Sequence, residues 1–224
     1  MATTDALLAA EEAGAQVVIP HETLYLRPNG DSTVEFIADQ PWAERPVNQR
    51  RREIIERANL TVVRFHGTVD VICVFDVFAE LLGLDDVAAG EGCARILRIP
   101  PTPFRDLIER VKKAVGMEHV RVACRDEDMH KLVERVGLPW GGMGLGVNMG
   151  YQAGLIKKGC DAFISGEMDA GAFIHACEGG VPCIETSHEA SEIPGIVRFT
   201  EILRKEHPNI RFDHFDNGIC WRWG

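Results

Sequence analysis

A histidine and a carboxylate follow an apolar run near the carboxyl end of the chain. Residues 181–184 are apolar, and the polar residues that follow include His188 and, four positions later, Glu192. In a βα unit such residues lie at the carboxyl end of a strand, where open α/β proteins bind their ligands. The two would share one helical face, but Pro194 predicts that the helix begins near Ser191 and that His188 precedes it. The pair could bind a metal ion, or the histidine could be hydrogen-bonded to the carboxylate without one.

A histidine with a carboxylate recurs at two other predicted strand ends, and a carboxylate alone follows a third. His21 and Glu22 follow a strand at residues 16–19, His66 and Asp70 follow one at 61–65, and Glu167 follows one at 162–165. Parallel strands bring their carboxyl ends to one edge of a sheet, so residues distant in sequence can meet there. Imidazole and carboxylate ligands suit Zn, Mn or Fe(II), and the absence of a thiolate argues against a structural zinc site. The set exceeds what one tetrahedral ion needs, whereas two bridged ions would use it in hydrolytic chemistry.

Predicted strands and helices alternate along the chain, which is typical of an α/β fold with a largely parallel sheet. The predicted helices cover residues 2–14, 46–59, 75–82, 103–115 and 150–158, a segment that ends near 177, and 195–206. The other predicted strands are 94–99, 120–124, the segment 132–138, 181–184 and 210–212. The acidic stretch 84–94 is a linker or surface loop. The chain is therefore one unit, 1–224, or has two lobes at about 1–90 and 91–224.

Three further segments have less specific patterns. The glycines at 141–146 lack both a P-loop lysine and a Gly-x-Gly-x-x-Gly pattern, so they indicate a packing turn more than a phosphate-binding loop. Residues 26–46 contain three prolines and form the kind of long loop that often serves as a lid or an interface. Trp221 and Trp223 could close the site or form an oligomer contact.

Composition and charge narrow the class of protein. The formal net charge of −10 argues against nucleic acid as the main partner, since that binding depends on clustered Lys and Arg. The seven cysteines form no Cys-x-x-Cys pair, and several lie in apolar runs, which is typical of a reduced, cytoplasmic protein. No run approaches the ~20 apolar residues that a membrane span needs, and no signal peptide is evident.

Four blocks of the chain resemble, in order, the signature blocks of a known family. They are Val18-Ile19-Pro20-His21-Glu22, Arg64-Phe65-His66-Gly67-Thr68-Val69-Asp70, Asp161-Ala162-Phe163-Ile164-Ser165-Gly166-Glu167 and Ser187-His188-Glu189-Ala190-Ser191-Glu192. Over about residues 2–215 the chain is similar to the Nif-three-like family, whose members are also called GTP cyclohydrolase I type 2 homologues. The resemblance implies a dinuclear site of divalent ions (Zn, Mn or Fe) in an α/β fold that forms a homo-oligomer, either a ring-shaped hexamer assembled from dimers or a dimer.

The resemblance also implies a role for each matching position. The implied metal ligands are His21, Glu22, His66, Asp70, His188 and Glu192, and Glu167 occupies an acidic position after Ser165-Gly166. Glu22 stands where most members have the second histidine of a His-His-Pro block. A carboxylate in place of an imidazole makes the site harder and changes the preferred metal. A second departure is that members usually have a further strand or two before the first helix.

Two functions fit these residues. The first is a metal-dependent hydrolase for a small polar substrate, acting on a C–N bond as cyclohydrolases and amidohydrolases do, or on a phosphoester. In that case Asp70 and Glu192 hold or bridge the metals, while Glu167 or Glu22 serves as the general base. The second is a non-catalytic protein that assembles around a metal or delivers it.

Overall fold

The computed structural model describes residues 1–26 and 35–222. The chain divides into two compact units, Met1–Val69 with Arg211–Gly218, and Asp70–Ile210 with Ile219–Gly224. The division at Asp70 lies about 20 residues before the lobe boundary near residue 90 that the sequence suggests. Trp223 and residues 27–34 of the proline-containing loop lie outside the described residues.

In the part that the structure describes, the first unit has two short strands, two longer helices and one short helix of three residues. Its elements are α1 (Thr4–Glu12), β1 (Val17–Val18), α2 (Pro46–Arg57), β2 (Thr61–Val62) and α3 (Gly67–Val69). Leu7 of α1 and Ile54 of α2 belong to one buried cluster. Strands β1 and β2 are parallel, and their pairing continues to Phe65, whose N–H donates to the Pro20 carbonyl at 3.2 Å. The residues after both strands therefore lie side by side.

The second unit contains a six-stranded sheet and most of the helices. Its strands are β3 (Asp86–Ala89), β4 (Ile96–Pro103), β5 (Arg121–Ala123), β6 (Leu132–Gly137), β7 (Ala162–Ser165) and β8 (Cys183–Glu185), in the order β3-β4-β6-β7-β8-β5. Its α-helices are α4 (Phe75–Leu81), α5 (Phe104–Val115), α6 (Met149–Lys157), α7 (Ala170–Glu178) and α8 (His188–Glu206), and a π-helix covers Asp70–Val74. The α/β class expected from the sequence is confirmed.

The sheet of the second unit is mixed. Strands β6, β7 and β8 run parallel, whereas β3, β4 and β5 join it by antiparallel pairs. β3 lies within the stretch expected to be a linker; it is an edge strand with exposed Asp86 and Val87, so it lacks a buried apolar face that would mark it in the sequence. No strand forms at 210–212, where Ile210 is exposed.

Helix α8 begins at His188, three residues earlier than Pro194 predicts. Ser187 caps the helix, because its Oγ accepts a hydrogen bond from the Ala190 N–H at 3.0 Å. Pro194 lies inside the helix and costs one backbone hydrogen bond without ending it. The predicted position of His188 in a preceding loop is therefore wrong. Although α8 has 19 residues, neither it nor any other helix of the described chain is both long and apolar enough to cross a membrane.

Candidate metal centre

Three predicted ligands lie together in the first unit. His21, Glu22 and His66 each offer a ligand atom, and these atoms lie within 4.8 Å of one another. Nε2 of His66 is 3.1 Å from Oε1 of Glu22. The His21 and His66 rings have centroids 4.8 Å apart. The parallel pairing after β1 and β2 thus brings together residues that are more than 40 positions apart in sequence.

The backbone fixes the orientation of His21. Its ring is buried, and Nδ1 donates a hydrogen bond to the Phe65 carbonyl at 2.9 Å. In the neutral imidazole this places the lone pair on Nε2, the tautomer that a metal requires at that atom. The Arg64 side chain donates to the His21 carbonyl at 3.1 Å and holds the same segment.

In the second unit, His188 lies between two carboxylates. Nε2 is 3.1 Å from Oε1 of Glu192, and Nδ1 is 3.0 Å from Oε2 of Glu167. Glu192 is one turn after His188 on α8, and Glu167 follows β7. A carboxylate on the second nitrogen of a metal-binding histidine orients the ring and raises its basicity. This arrangement fits Glu192 as a co-ligand and Glu167 as an orienting residue.

Asp70, at the start of the π-helix, has a partner that sequence reasoning missed. Its Oδ1 accepts a hydrogen bond from Nε1 of Trp140 at 3.1 Å, and both side chains are buried. Trp140 comes three residues after β6. Because ligands bind near the carboxyl ends of parallel strands, this position could have marked Trp140 as a candidate site residue. Nothing in the local sequence indicates that its indole reaches Asp70.

Gly141 is hydrogen-bonded both to helix α8, which carries His188 and Glu192, and to the loop after β7, which carries Glu167. Its N–H donates to Ser191 Oγ at 2.8 Å, and its carbonyl accepts from the Glu167 N–H at 2.8 Å. Its φ of +46° lies in the left-handed region, and a Cβ there would overlap Glu192 Oε1. The glycine-containing segment therefore acts as a packing turn, as its sequence suggests.

Glu185 is a further buried carboxylate near this edge of the sheet. It ends β8, and burial raises the pKa of its carboxyl group, while the guanidinium of Arg121 opposes that rise. Arg121 Nη1 lies 2.8 Å from its Oε2, and the Met168 N–H donates to Oε2 at 3.3 Å. These contacts tie β8 to β5 and to the loop after β7, which supports a structural role.

The chemistry of the donors fits divalent metal ions. Both units offer imidazole nitrogens and carboxylate oxygens, the ligands that Zn, Mn and Fe(II) share. Within the described residues, three groups of three side chains have ligand atoms close enough to hold a metal ion. All of their members are among the six residues predicted as ligands. In His21 and His188, Nδ1 contacts an oxygen acceptor, which leaves Nε2 as the atom for a metal. Histidines that bind metals in proteins are commonly oriented in this way.

A comparison with known protein families identifies the family of this chain. The family model of Duf34/NIF3 (NGG1p interacting factor 3) matches residues 2–216. The chain belongs to the Duf34/NIF3 family. The predicted resemblance to Nif-three-like proteins is confirmed.

Curated relatives of this Duf34/NIF3 chain are named GTP cyclohydrolase 1 type 2 homolog. One from Haemophilus influenzae is 30% identical over 118 residues, which cover 52% of this chain and 44% of that protein. One from Vibrio cholerae is 25% identical over 193 residues, which cover 82% of this chain and 74% of that protein. The chain spans about half the length of the first curated relatives that it matches, from 44% to 58%.

Solved Duf34/NIF3 structures share the fold. A Bacillus cereus protein related to NIF3 superposes with a TM-score of 0.73 at 14% identity and covers 98% of this chain and 87% of its own. The protein ybgI, described as of unknown function, superposes with a TM-score of 0.73 at 22% identity and covers 91% of this chain and 76% of its own. At these identities the likeness establishes the fold alone.

Proposed function

We propose that this Duf34/NIF3 chain is a metal-dependent hydrolase that cleaves a C–N bond in a small polar substrate. The observation that carries the proposal is His188, whose two ring nitrogens lie 3.0 and 3.1 Å from carboxylates of Glu167 and Glu192. A histidine held in this way has one nitrogen directed to a metal position and the other to an orienting carboxylate.

The proposed cofactor is a pair of divalent ions, Zn, Mn or Fe. The proposed ligands are His21, Glu22, His66, Asp70, His188 and Glu192. Six side-chain donors exceed the three or four that one tetrahedral zinc ion takes from a protein, which supports two ions. Bound ions of this type lower the pKa of water and stabilise charge that develops in hydrolysis.

The residues of the chain have distinct proposed roles. Glu167 uses Oε2 to orient His188, and its side chain is 47% exposed, so the same carboxylate can accept a proton from solvent or substrate. Glu22 is the second candidate for a proton acceptor, and its contact with His66 also suits a ligand. Glu167 is the better candidate of the two, because it orients a ligand and is not itself a proposed ligand. It can therefore exchange a proton without leaving the metal.

The proposal extends to the state of the protein in the cell. The seven cysteines are free thiols, which supports a reduced, cytoplasmic setting. The family resemblance supports a homo-oligomer, a hexameric ring or a dimer, which sedimentation of the purified protein would measure.

A reconstitution assay tests the hydrolase. The protein stripped with a chelator is reloaded with Mn, Fe(II) or Zn and offered cyclic amides, cyclic amidines such as nucleoside bases, and phosphoesters. We expect C–N hydrolysis that disappears on chelation and in Asp70→Ala. Turnover that survives both treatments contradicts the proposal. Tight metal binding without turnover, with ready loss of the metal to a competing chelator, instead supports a metal-delivery protein.

A further inference from the structure

The indole of Trp140 is held rigidly in the second unit. It is buried, and it packs edge-on against Phe75, with centroids 5.2 Å apart, and against Tyr151, with centroids 5.8 Å apart. Tyr151 is fixed in turn, because its hydroxyl donates to the Cys93 carbonyl at 2.6 Å. Edge-to-face packing on two sides leaves the indole one orientation.

That orientation directs the single polar atom of the indole at Asp70. Nε1 donates to Asp70 Oδ1 at 3.1 Å. An indole N–H is only a donor, so this contact restrains the carboxylate in one rotamer and fixes the direction of Oδ2. A hydrogen bond to a charged acceptor in a buried site is stronger than a bond between neutral groups.

The backbone on both sides of this contact is also constrained. Asp70 begins a π-helix, Asp70–Val74, a rare conformation that is frequent at functional sites. Trp140 precedes Gly141, whose N–H and carbonyl are bonded to Ser191 and Glu167. The pair Trp140-Gly141 therefore connects Asp70 with the segments that carry His188 and Glu192.

We propose that Trp140 is a positioning residue for the metal ligand Asp70. The proposal rests on the proposed function, since it requires that Asp70 binds a metal. Trp140 acts through its N–H, which holds the carboxylate in the binding rotamer before the metal arrives. Loss of such a partner behind a ligand typically lowers metal affinity by about 10- to 100-fold.

The test compares Trp140→Phe with Trp42→Phe. The second variant is the matched control, because it removes a buried indole that lies in the first unit. Affinity for Co(II) is measured by competition with a chromophoric chelator, and the visible absorption of the bound Co(II) reports its ligand geometry. We expect Trp140→Phe to bind about tenfold more weakly and to shift the Co(II) spectrum. Trp42→Phe is expected to match the wild type in both respects.

A double variant separates positioning from general packing. If Trp140 acts only through Asp70, the double variant Trp140→Phe/Asp70→Ala binds Co(II) no more weakly than Asp70→Ala alone. A further loss in the double variant, or an unchanged affinity and spectrum in Trp140→Phe, overturns the inference while leaving metal binding intact. A wild type that binds no Co(II), Mn, Fe(II) or Zn overturns it together with the proposed function.

An isosteric replacement covers the case in which Trp140→Phe unfolds, which thermal denaturation would reveal. Benzothienylalanine at position 140 replaces the N–H with sulfur and keeps the shape of the ring that packs on Phe75 and Tyr151. We expect the same tenfold loss of Co(II) affinity, with a midpoint of unfolding above that of Trp140→Phe because the ring packing is kept. Wild-type affinity in this variant overturns the inference.

Discussion

Nε2 of His188 lies 3.1 Å from Oε1 of Glu192, one turn later on the same helix. The contact exists because Ser187 caps the helix directly before His188. Both residues therefore occupy the first two turns, where i and i+4 side chains lie on one face.

Replacing His188 with Ala should remove metal from the purified protein. The variant loses an imidazole donor and leaves Glu167 and Glu192 without the ring between them. We expect elemental analysis to find close to two transition-metal equivalents per chain in the wild type and a sharp fall in His188→Ala. His207→Ala, at the other end of α8, is the matched control and should keep its metal. Equal metal content in the two variants would remove His188 from the ligand set.

Glu167→Gln should weaken metal binding without removing it. The amide can still contact His188 Nδ1, but it carries no charge to raise the basicity of the ring. We expect an affinity about tenfold lower, measured by chelator competition, with the stoichiometry unchanged. Glu178→Gln, at the exposed end of α7, controls for loss of one negative charge. A full loss of metal would instead assign Glu167 as a direct ligand.

The alternating pattern and the polar strand ends were enough to predict the α/β class and the residues that cluster near the ends of β1 and β2. The pattern failed where tertiary context overrides local signals. Pro194 normally ends a helix, yet capping by Ser187 and burial of Ser191 keep α8 continuous across it. The edge strand β3 is short and has no fully buried residue, since only Ala88 and Ala89 are partly buried, so its sequence has no alternating apolar pattern to detect.

Side-chain partners across the fold were beyond sequence reasoning. Trp140 and Asp70 are 70 residues apart, and their hydrogen bond depends on where the turn after β6 meets the π-helix. The same holds for Gly141 and Glu192, whose close approach explains the glycine. Such contacts follow from packing in three dimensions, so residue type and spacing cannot reveal them.

Glu22→His should change which metal the protein prefers. The substitution introduces the histidine that the family resemblance implies at this position and gives the first-unit group an imidazole in place of a carboxylate. A softer donor set favours Zn over Mn. In competitive loading from an equimolar mixture we expect the bound Zn-to-Mn ratio to rise several-fold over the wild type. Glu12→His, at the exposed end of α1, should leave the ratio unchanged.

Gly141→Ala should destabilise the second unit and disturb its ligands. Alanine is strained at a φ of +46°, and its Cβ would overlap Glu192 Oε1. We expect the free energy of unfolding to fall by about 2 kcal/mol or more, measured by urea denaturation. Gly150→Ala is the control, since no atom lies near a Cβ there and the residue is helical. It should be neutral or stabilising by about 0.5 kcal/mol. Equal stability of the two variants would contradict the crowding at Gly141.

Cys177 should be the cysteine that alkylates fastest near neutral pH. The neighbouring Cys183 thiol lowers the pKa of Cys177, whereas burial raises the pKa of Cys93 and of Cys124. A lowered pKa means that the reactive thiolate persists to a lower pH than for an ordinary thiol, whose pKa is about 8.5. Iodoacetamide labelling followed by mass spectrometry should show this order.

The pH profile of the same reaction tests the cause. Cys183→Ala removes the neighbouring thiol, so the Cys177 thiolate loses its stabilisation and the profile should move to higher pH. Cys93→Ala removes a thiol outside this pair and should leave the Cys177 profile in place. If the alkylation of Cys177 instead follows the pH profile of Cys124, or does not change when Cys183 is removed, the Cys183 thiol does not control its reactivity. The position of the Cys177 profile thus measures the Cys177–Cys183 contact directly, independently of any metal.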